Sequence, residues 1–152
     1  MLHPAPTNKI DPTLARGIIL EVLAATDRTP PYVVMGFPNT SYRLMLETSG
    51  DEGLLAGHVG DMVLGRIFAK AMRVDETHAG GRSFDPCLGR PTRVMGTVVA
   101  IDPTANVLVV DAGAPIALSL TAPGQHATTF SDAEFIVCNI KPGAAFKFAR
   151  EA

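Results

Sequence analysis

The segment Met62–Val74 has the sequence MVLGRIFAKAMRV, in which Arg66, Phe68 and Lys70 stand at every second position. Successive side chains of a β-strand point to opposite faces, so the pattern predicts a strand that carries Arg66, Phe68 and Lys70 on one face. Gly65 interrupts the apolar part of this strand. A glycine there lets the strand coil sharply or lets a neighbouring backbone approach, as the closing of a small barrel requires.

Two other parts of the chain have a similar apolar run with an internal glycine. Val94–Ala100 aligns with Val63–Ala69, and Val34–Gly36 opens in the same way. The separation of about thirty residues is typical of a repeated structural unit. Two interpretations stay open: a degenerate second copy of a barrel, or a chance similarity between short alternating strands.

Short β-branched and aromatic runs, separated by Gly, Pro, Asn and Asp, continue from Pro31 towards the last residues. This spacing is typical of an all-β barrel or sandwich. The predicted strands are Tyr32–Phe37, Ser41–Thr48, Met62–Val74, Thr92–Ile101, Asn106–Asp111, Pro115–Leu120, Ile136–Ile140 and Ala144–Ala149. The chain is therefore predicted to be mostly β, with a small closed or partly open antiparallel barrel.

The residues before this region predict one α-helix. Asp11 precedes Pro12, a pair that favours a helix start because Asp accepts hydrogen bonds from free backbone N–H groups. Apolar residues then recur at helical spacing, which predicts a helix over Asp11–Asp27. Residues 1–31 are predicted to form a polar tail and a helix docked on the barrel, and residues 32–152 the barrel domain.

A polar, glycine-rich segment at residues 75–91 separates two groups of predicted strands. It divides the barrel domain into possible sub-units at 32–75 and 92–150. Loops of this length are commonly functional or disordered. We predict a mobile surface loop.

The order of elements after Thr92 is three strands, a one-turn helix at Phe130–Phe135 and a final hairpin. Together with Gly96, Val98 and the Ile101-Asp102 pair, this order resembles the OB-fold, a five-stranded barrel that binds oligonucleotides and oligosaccharides. The resemblance covers roughly the last sixty residues. It implies a ligand on the outer face of the middle strands and beside the flanking loops.

Arg66, Phe68, Lys70 and Arg73 are the candidate ligand-binding residues, because single-stranded nucleic acid needs aromatic side chains beside a basic groove. The alternative is an edge strand that carries cations for solubility. The chain has seven Phe, two Tyr and no Trp, and residues 94–140 contain no Lys or Arg. This composition argues against nucleic-acid binding by the OB-like part.

Polar residues that could support metal binding or catalysis are scattered through the middle of the chain. They are His58, Asp61, Asp75, Glu76, His78, Asp85 and Cys87. Their spacing fits no zinc or calcium motif, so we predict no metal and no cofactor. Cys138 lies in an apolar run and is predicted to be buried and inert, whereas Cys87 is predicted to be accessible. An enzyme with its site in the 75–90 loop stays an alternative.

Several strands are apolar on both faces, including Thr92–Ile101 and Asn106–Asp111. The second face must then be covered, either by the N-terminal helix or by another copy of the chain. Charged residues make up 18% of the chain and apolar residues 47%. These features predict a homo-oligomeric, non-enzymatic binding or interaction module.

The composition also bears on location. The net charge is −2, the first residues do not resemble a signal peptide, and no apolar run approaches the roughly 18 residues needed to cross a bilayer. The two cysteines show neither a disulfide framework nor a CxxC motif. We predict a cytoplasmic protein with no membrane partner.

Overall fold

The computed structural model describes residues 11–48, 50–78 and 80–152, and most of its regular elements are strands. The strands are β1 (Ala15–Leu23), β2 (Tyr32–Gly36), β3 (Arg43–Thr48), β4 (Met62–Glu76), β5 (Ser83–Asp85), β6 (Leu88–Gly89), β7 (Arg93–Asp102), β8 (Val107–Asp111), β9 (Pro115–Leu120), β10 (Phe135–Ile140) and β11 (Ala145–Glu151). A short helix, α1 (Glu52–Ala56), precedes β4, and one turn of 3-10 helix (Ala127–Thr129) precedes β10. The prediction of a mostly β protein is confirmed.

All eight predicted strands are present, and their ends agree with the prediction to within two residues. The agreement follows from side-chain alternation, since each strand turns one set of apolar side chains into the core. The one-turn helix expected at Phe130–Phe135 occurs earlier, at Ala127–Thr129. Among the described residues, no helix is long and apolar enough to cross a membrane.

Hydrogen-bonded pairing joins the strands into two closed rings that share β4. The first ring has the order β1–β2–β3–β11–β4 and returns to β1, whereas the second has the order β4–β10–β7–β8–β9 and returns to β4. Sharing is possible because β4 has fifteen residues. β1 and β11 pair with residues 62–68 of β4, whereas β9 pairs with its middle residues 67–71 and β10 with residues 71–76.

The two rings are built in the same order. Three consecutive strands are followed by a short helix and then by a fourth strand that pairs antiparallel with the first, β4 with β1 and β10 with β7. The fifth strand of each ring lies parallel to the third strand: β11 lies beside β3 in the first ring, and β4 lies beside β9 in the second. The predicted antiparallel arrangement is therefore correct only in part. The predicted final hairpin is wrong, because β10 and β11 each pair with β4.

The predicted N-terminal helix is wrong, because β1 occupies its position. Ala15, Gly17 and Ile19 are buried while Arg16 is exposed, so burial changes with every residue as in a strand. Apolar side chains spaced four residues apart lie on one face of a strand, whose side-chain period is two, and also on one face of a helix, whose period is 3.6. The β-branched content and Gly17 favour the strand. The tail predicted over residues 1–10 lies outside the described residues.

The 75–91 segment contains two short strands that pack against the sheet, where a mobile surface loop was predicted. β5 pairs with β7 and β6 pairs with β3, so the segment contacts both rings. Phe84 is 1% exposed and meets the Tyr42 ring edge-on at a centroid distance of 5.3 Å. The buried Phe84 anchors this segment, and strand pairing also crosses the predicted sub-unit boundary.

Glycines inside two strands allow their neighbours to approach closely, as the sequence predicted. A Cβ atom at Gly65 would collide with the Phe146 ring and the Lys147 carbonyl, and one at Gly96 would collide with the Asp111 carbonyl. The backbones of β4 and β11 could not pack at their present separation if residue 65 had a side chain.

We expect Gly65→Ala to lower the free energy of unfolding by about 1–3 kcal/mol, because overpacking forces the backbone to shift. Gly53→Ala is the matched control. A Cβ atom at Gly53 meets nothing within 4 Å, and alanine favours a helix by up to about 1 kcal/mol relative to glycine. Urea unfolding followed by circular dichroism measures both variants. Equal stability of the two variants would contradict the close packing at Gly65.

Candidate functional site

The candidate residues Arg66, Phe68 and Lys70 all lie on the outer face of β4. They are exposed, and the residues between them, Ile67 and Ala69, are buried. The alternation predicted for this strand is confirmed. A binding role for these three residues stays a prediction.

Arg73 is not brought together with the other candidates. The pairing of β4 with β10 changes register near this point, and the Arg73 Nε atom forms an ion pair with the Asp75 Oδ1 atom at 3.0 Å. At about 3.3 Å per residue, Arg73 lies about 23 Å along the strand from Arg66. Its charge is already compensated within its own strand.

A groove of about 550 Å³ lies beside Arg66 and Phe68 on the outer face of the second ring. Its floor follows the strand register: Phe68 is opposite Ala117 of β9, and Ala117 is opposite Val109 of β8. Ala100 of β7 continues the row beyond Val109. Because the middle positions carry short side chains, they leave space between the larger groups around them.

The β7–β8 loop contributes Asp102, Pro103 and Ala105 to the lining of the groove. The Asp102 Oδ1 atom accepts hydrogen bonds from the backbone N–H groups of Thr104 and Ala105, both at 3.1 Å. This Asx-type turn fixes the loop without a contribution from other elements. The loop is therefore a defined part of the groove.

Arg66 is held near the groove by the residues before β1. Its Nη2 atom donates a hydrogen bond to the Thr13 Oγ1 atom at 3.3 Å, and Thr13 also lines the groove. The Thr13 hydroxyl in turn donates to the Asp11 carboxylate at 2.6 Å. Hydrogen bonds from Thr13 lower the pKa of Asp11, and the charges of Arg66 and Arg150 lower it further. Asp11 therefore stays ionised near neutral pH.

Further cations surround Arg66 on the same face. Lys147 of β11 is opposite Arg66, and Arg16 and Arg150 are opposite Leu64 from either side. Within the described part of the chain, none of these cations forms an ion pair within the 4.0 Å limit. We call this set, with Lys70, the cationic band: Arg16, Arg66, Lys70, Lys147 and Arg150.

The two thiols differ as the sequence predicted. Cys138 is 3% exposed, and burial raises its pKa to about 12, so its thiolate is not formed near neutral pH. Cys87 is exposed. No hydrogen bond to the Cys87 thiol is present among the described residues.

The other polar candidates are not gathered into one site. His58 stacks on the Phe148 ring at 5.3 Å, with its Nδ1 atom 3.2 Å from the Asp61 carboxylate, whereas Asp85 lies near Arg93. Residues 11–48, 50–78 and 80–152 contain no group of three or more His, Cys, Asp or Glu side chains placed to hold a metal ion. These polar residues therefore lie in separate pairs along the chain and not in one site.

The groove was not predictable from local sequence. Ala100, Val109 and Ala117 are ordinary small strand residues, and only the pairing of distant strands places them in one row. The OB-like order indicated the outer face of the middle strands but did not identify these three residues.

No protein-family model, no curated protein and no solved structure matches this chain. Its function is therefore inferred from the groove and the cationic band.

Proposed function

We propose that this protein is a non-enzymatic binding module whose groove holds a ligand with an apolar or aromatic body and a negative charge. The observation that carries the proposal is the row of small side chains on β8 and β9 next to Phe68 and Arg66. The guanidinium of Arg66 has donors beyond its single bond to Thr13, and charge-assisted hydrogen bonds to an anion are the strong ones. The volume of the groove lies in the range of about 300–1,000 Å³ typical of ligand pockets.

The position of the groove supports an OB-like mode of binding. If β7 is taken as the first strand of the second ring, β8 and β9 are its second and third strands, and residues 103–106 connect the first strand to the second. OB-fold proteins bind their ligands with these strands and this loop. We therefore propose that the second ring is the part of the chain that resembles the OB-fold, with β4 as its fifth strand.

The first test uses 8-anilinonaphthalene-1-sulfonate, a fluorescent probe with an aromatic body and one negative charge. We expect a saturable increase in its fluorescence with the native chain. Arg66→Gln should weaken binding about ten-fold, since a hydrogen bond to a charged group contributes about 1.5–3 kcal/mol. Ala117→Phe should abolish binding, because the larger ring fills the middle of the groove.

Arg28→Gln is the control for this test. Arg28 lies in the turn after β1, at the opposite end of that nine-residue strand from Thr13. Thermal unfolding must show that every variant is folded, because loosely packed states also bind the probe. The groove would be excluded as the site if folded Ala117→Phe bound the probe as tightly as the native chain.

A second candidate ligand is single-stranded nucleic acid, and the cationic band favours it. Lysine and arginine side chains that form no ion pair within the protein can replace the counterions of a phosphate backbone. Phe68 is 36% exposed and lies between Arg66 and Lys70 on the outer face of β4, where a base could stack on it. The band lies beside the groove, so a single strand could occupy both surfaces.

An oligothymidylate of about 15 nucleotides, a length that covers the site size of one OB fold, tests this candidate by fluorescence anisotropy. We expect affinity to fall steeply between about 50 and 200 mM salt, and Arg66→Gln and Lys147→Gln each to reduce the salt slope by about 0.7. Phe68→Ala should weaken binding by about 1–3 kcal/mol and leave the slope unchanged. No binding at low salt would end this candidate and leave the small-ligand proposal standing.

Self-association stays a prediction, and the fold reduces the need for it. Val109 lies on the outer face of β8 and is only 6% exposed, so the chain itself covers part of the second apolar face. Sedimentation equilibrium at micromolar concentration tests self-association, and a strict monomer would rule it out.

The free thiols of Cys87 and Cys138 support the proposal of a cytoplasmic location, because cytoplasmic proteins keep their cysteines reduced.

A further inference from the structure

A second pocket, of about 400 Å³, lies between the two rings and shares no lining residue with the groove. One wall is the outer face of β2 and β3, where Tyr32 is directly opposite Glu47 and Met45 precedes them along β3. The other wall comes from the segments 90–92 and 140–144. We call this space the seam pocket.

Glu47 and Arg90 carry opposite charges on the lining of the seam pocket. Their side chains are not joined to each other by an ion pair within 4.0 Å. Among the described residues, neither side chain has another hydrogen-bond or ion-pair partner. Glu47 is half-buried and Arg90 is exposed, and both line the same pocket without pairing with each other. A ligand that carries a positive and a negative group could pair with both residues.

Tyr32 provides a further polar group in this pocket. It is 7% exposed, and no hydrogen bond to its hydroxyl is present within the described residues. Among the described residues, Asp51 Oδ1 is the only fully buried side-chain N or O atom that has no hydrogen-bond partner. The Tyr32 hydroxyl also has no partner among them, so it is not fully buried and must reach accessible space. Because Tyr32 lines the seam pocket, its hydroxyl can donate or accept a hydrogen bond there.

We propose that the seam pocket binds a zwitterionic small molecule of the α-amino-acid class. The ligand carboxylate pairs with Arg90, the ligand ammonium pairs with Glu47, and an apolar side chain packs against Met45 and Ile140. A zwitterion compensates both protein charges without adding net charge, and each charged group gains a charge-assisted hydrogen bond. The pocket volume falls within the range of about 300–1,000 Å³ for small-molecule sites. This proposal does not rest on the β4 groove.

Isothermal titration of the full chain with L-leucine tests the site. Two analogues separate the charges: 4-methylpentanoate lacks the ammonium group, and 3-methylbutylamine lacks the carboxylate. We expect saturable binding of leucine and at least about ten-fold weaker binding of each analogue, since each loses one charge-assisted hydrogen bond. Absence of saturable leucine binding, or equal affinity for all three compounds, would overturn the proposal.

Variants assign each charge to its partner. Glu47→Gln should weaken leucine binding about ten-fold and leave the affinity for 4-methylpentanoate, which has no ammonium group, unchanged. Arg90→Gln should also weaken leucine binding, and it should leave the affinity for 3-methylbutylamine, which has no carboxylate, unchanged. Lys141→Gln is the control, because Lys141 is exposed in the same segment but does not line the pocket. The assignment is wrong if either pocket variant binds leucine as tightly as Lys141→Gln does.

Discussion

Backbone hydrogen bonds along both edges of β4 hold the whole sheet together. Four different strands pair with β4: β1 and β9 follow one another along one edge, and β11 and β10 along the other. Because each strand of a sheet needs partners for its N–H and C=O groups, a strand of this length can complete two rings at once. The inner side chains Val63, Ile67, Ala71 and Val74 then belong to one continuous apolar core.

The candidate sites are consequences of this arrangement. The outer face of β4 forms part of the groove wall, and β1 and β11 of the first ring add their cations around Arg66. The seam pocket arises where the outer face of β2 and β3 meets the segments that lead into β7 and β11. Neither surface would exist if the two rings were separate domains joined by a flexible linker.

Local sequence was sufficient for most strands and insufficient for their arrangement. Alternation identified eight strands, because burial on one face imposes a period of two on the side chains. It failed at β1, where a four-residue apolar repeat fits a helix equally well, and at Phe84, whose burial depends on the distant Tyr42. Pairing between residues far apart in the chain leaves no local signal, so the lining of the groove, the cationic band and the seam pocket could not be predicted from the sequence. The position of Arg66, Phe68 and Lys70 on one exposed face of β4 was predicted correctly.

The position of β11 in the first ring has a consequence for how the chain assembles. Strands β5 to β10 lie between β4 and β11 in the sequence, so the second ring is inserted into the first. During synthesis the first ring stays open at β3 and β4 until β11 emerges, and by then every strand of the second ring has been made. Contacts of such large sequence separation slow folding. The second ring, whose strands are complete earlier, can act as the template on which the first ring closes.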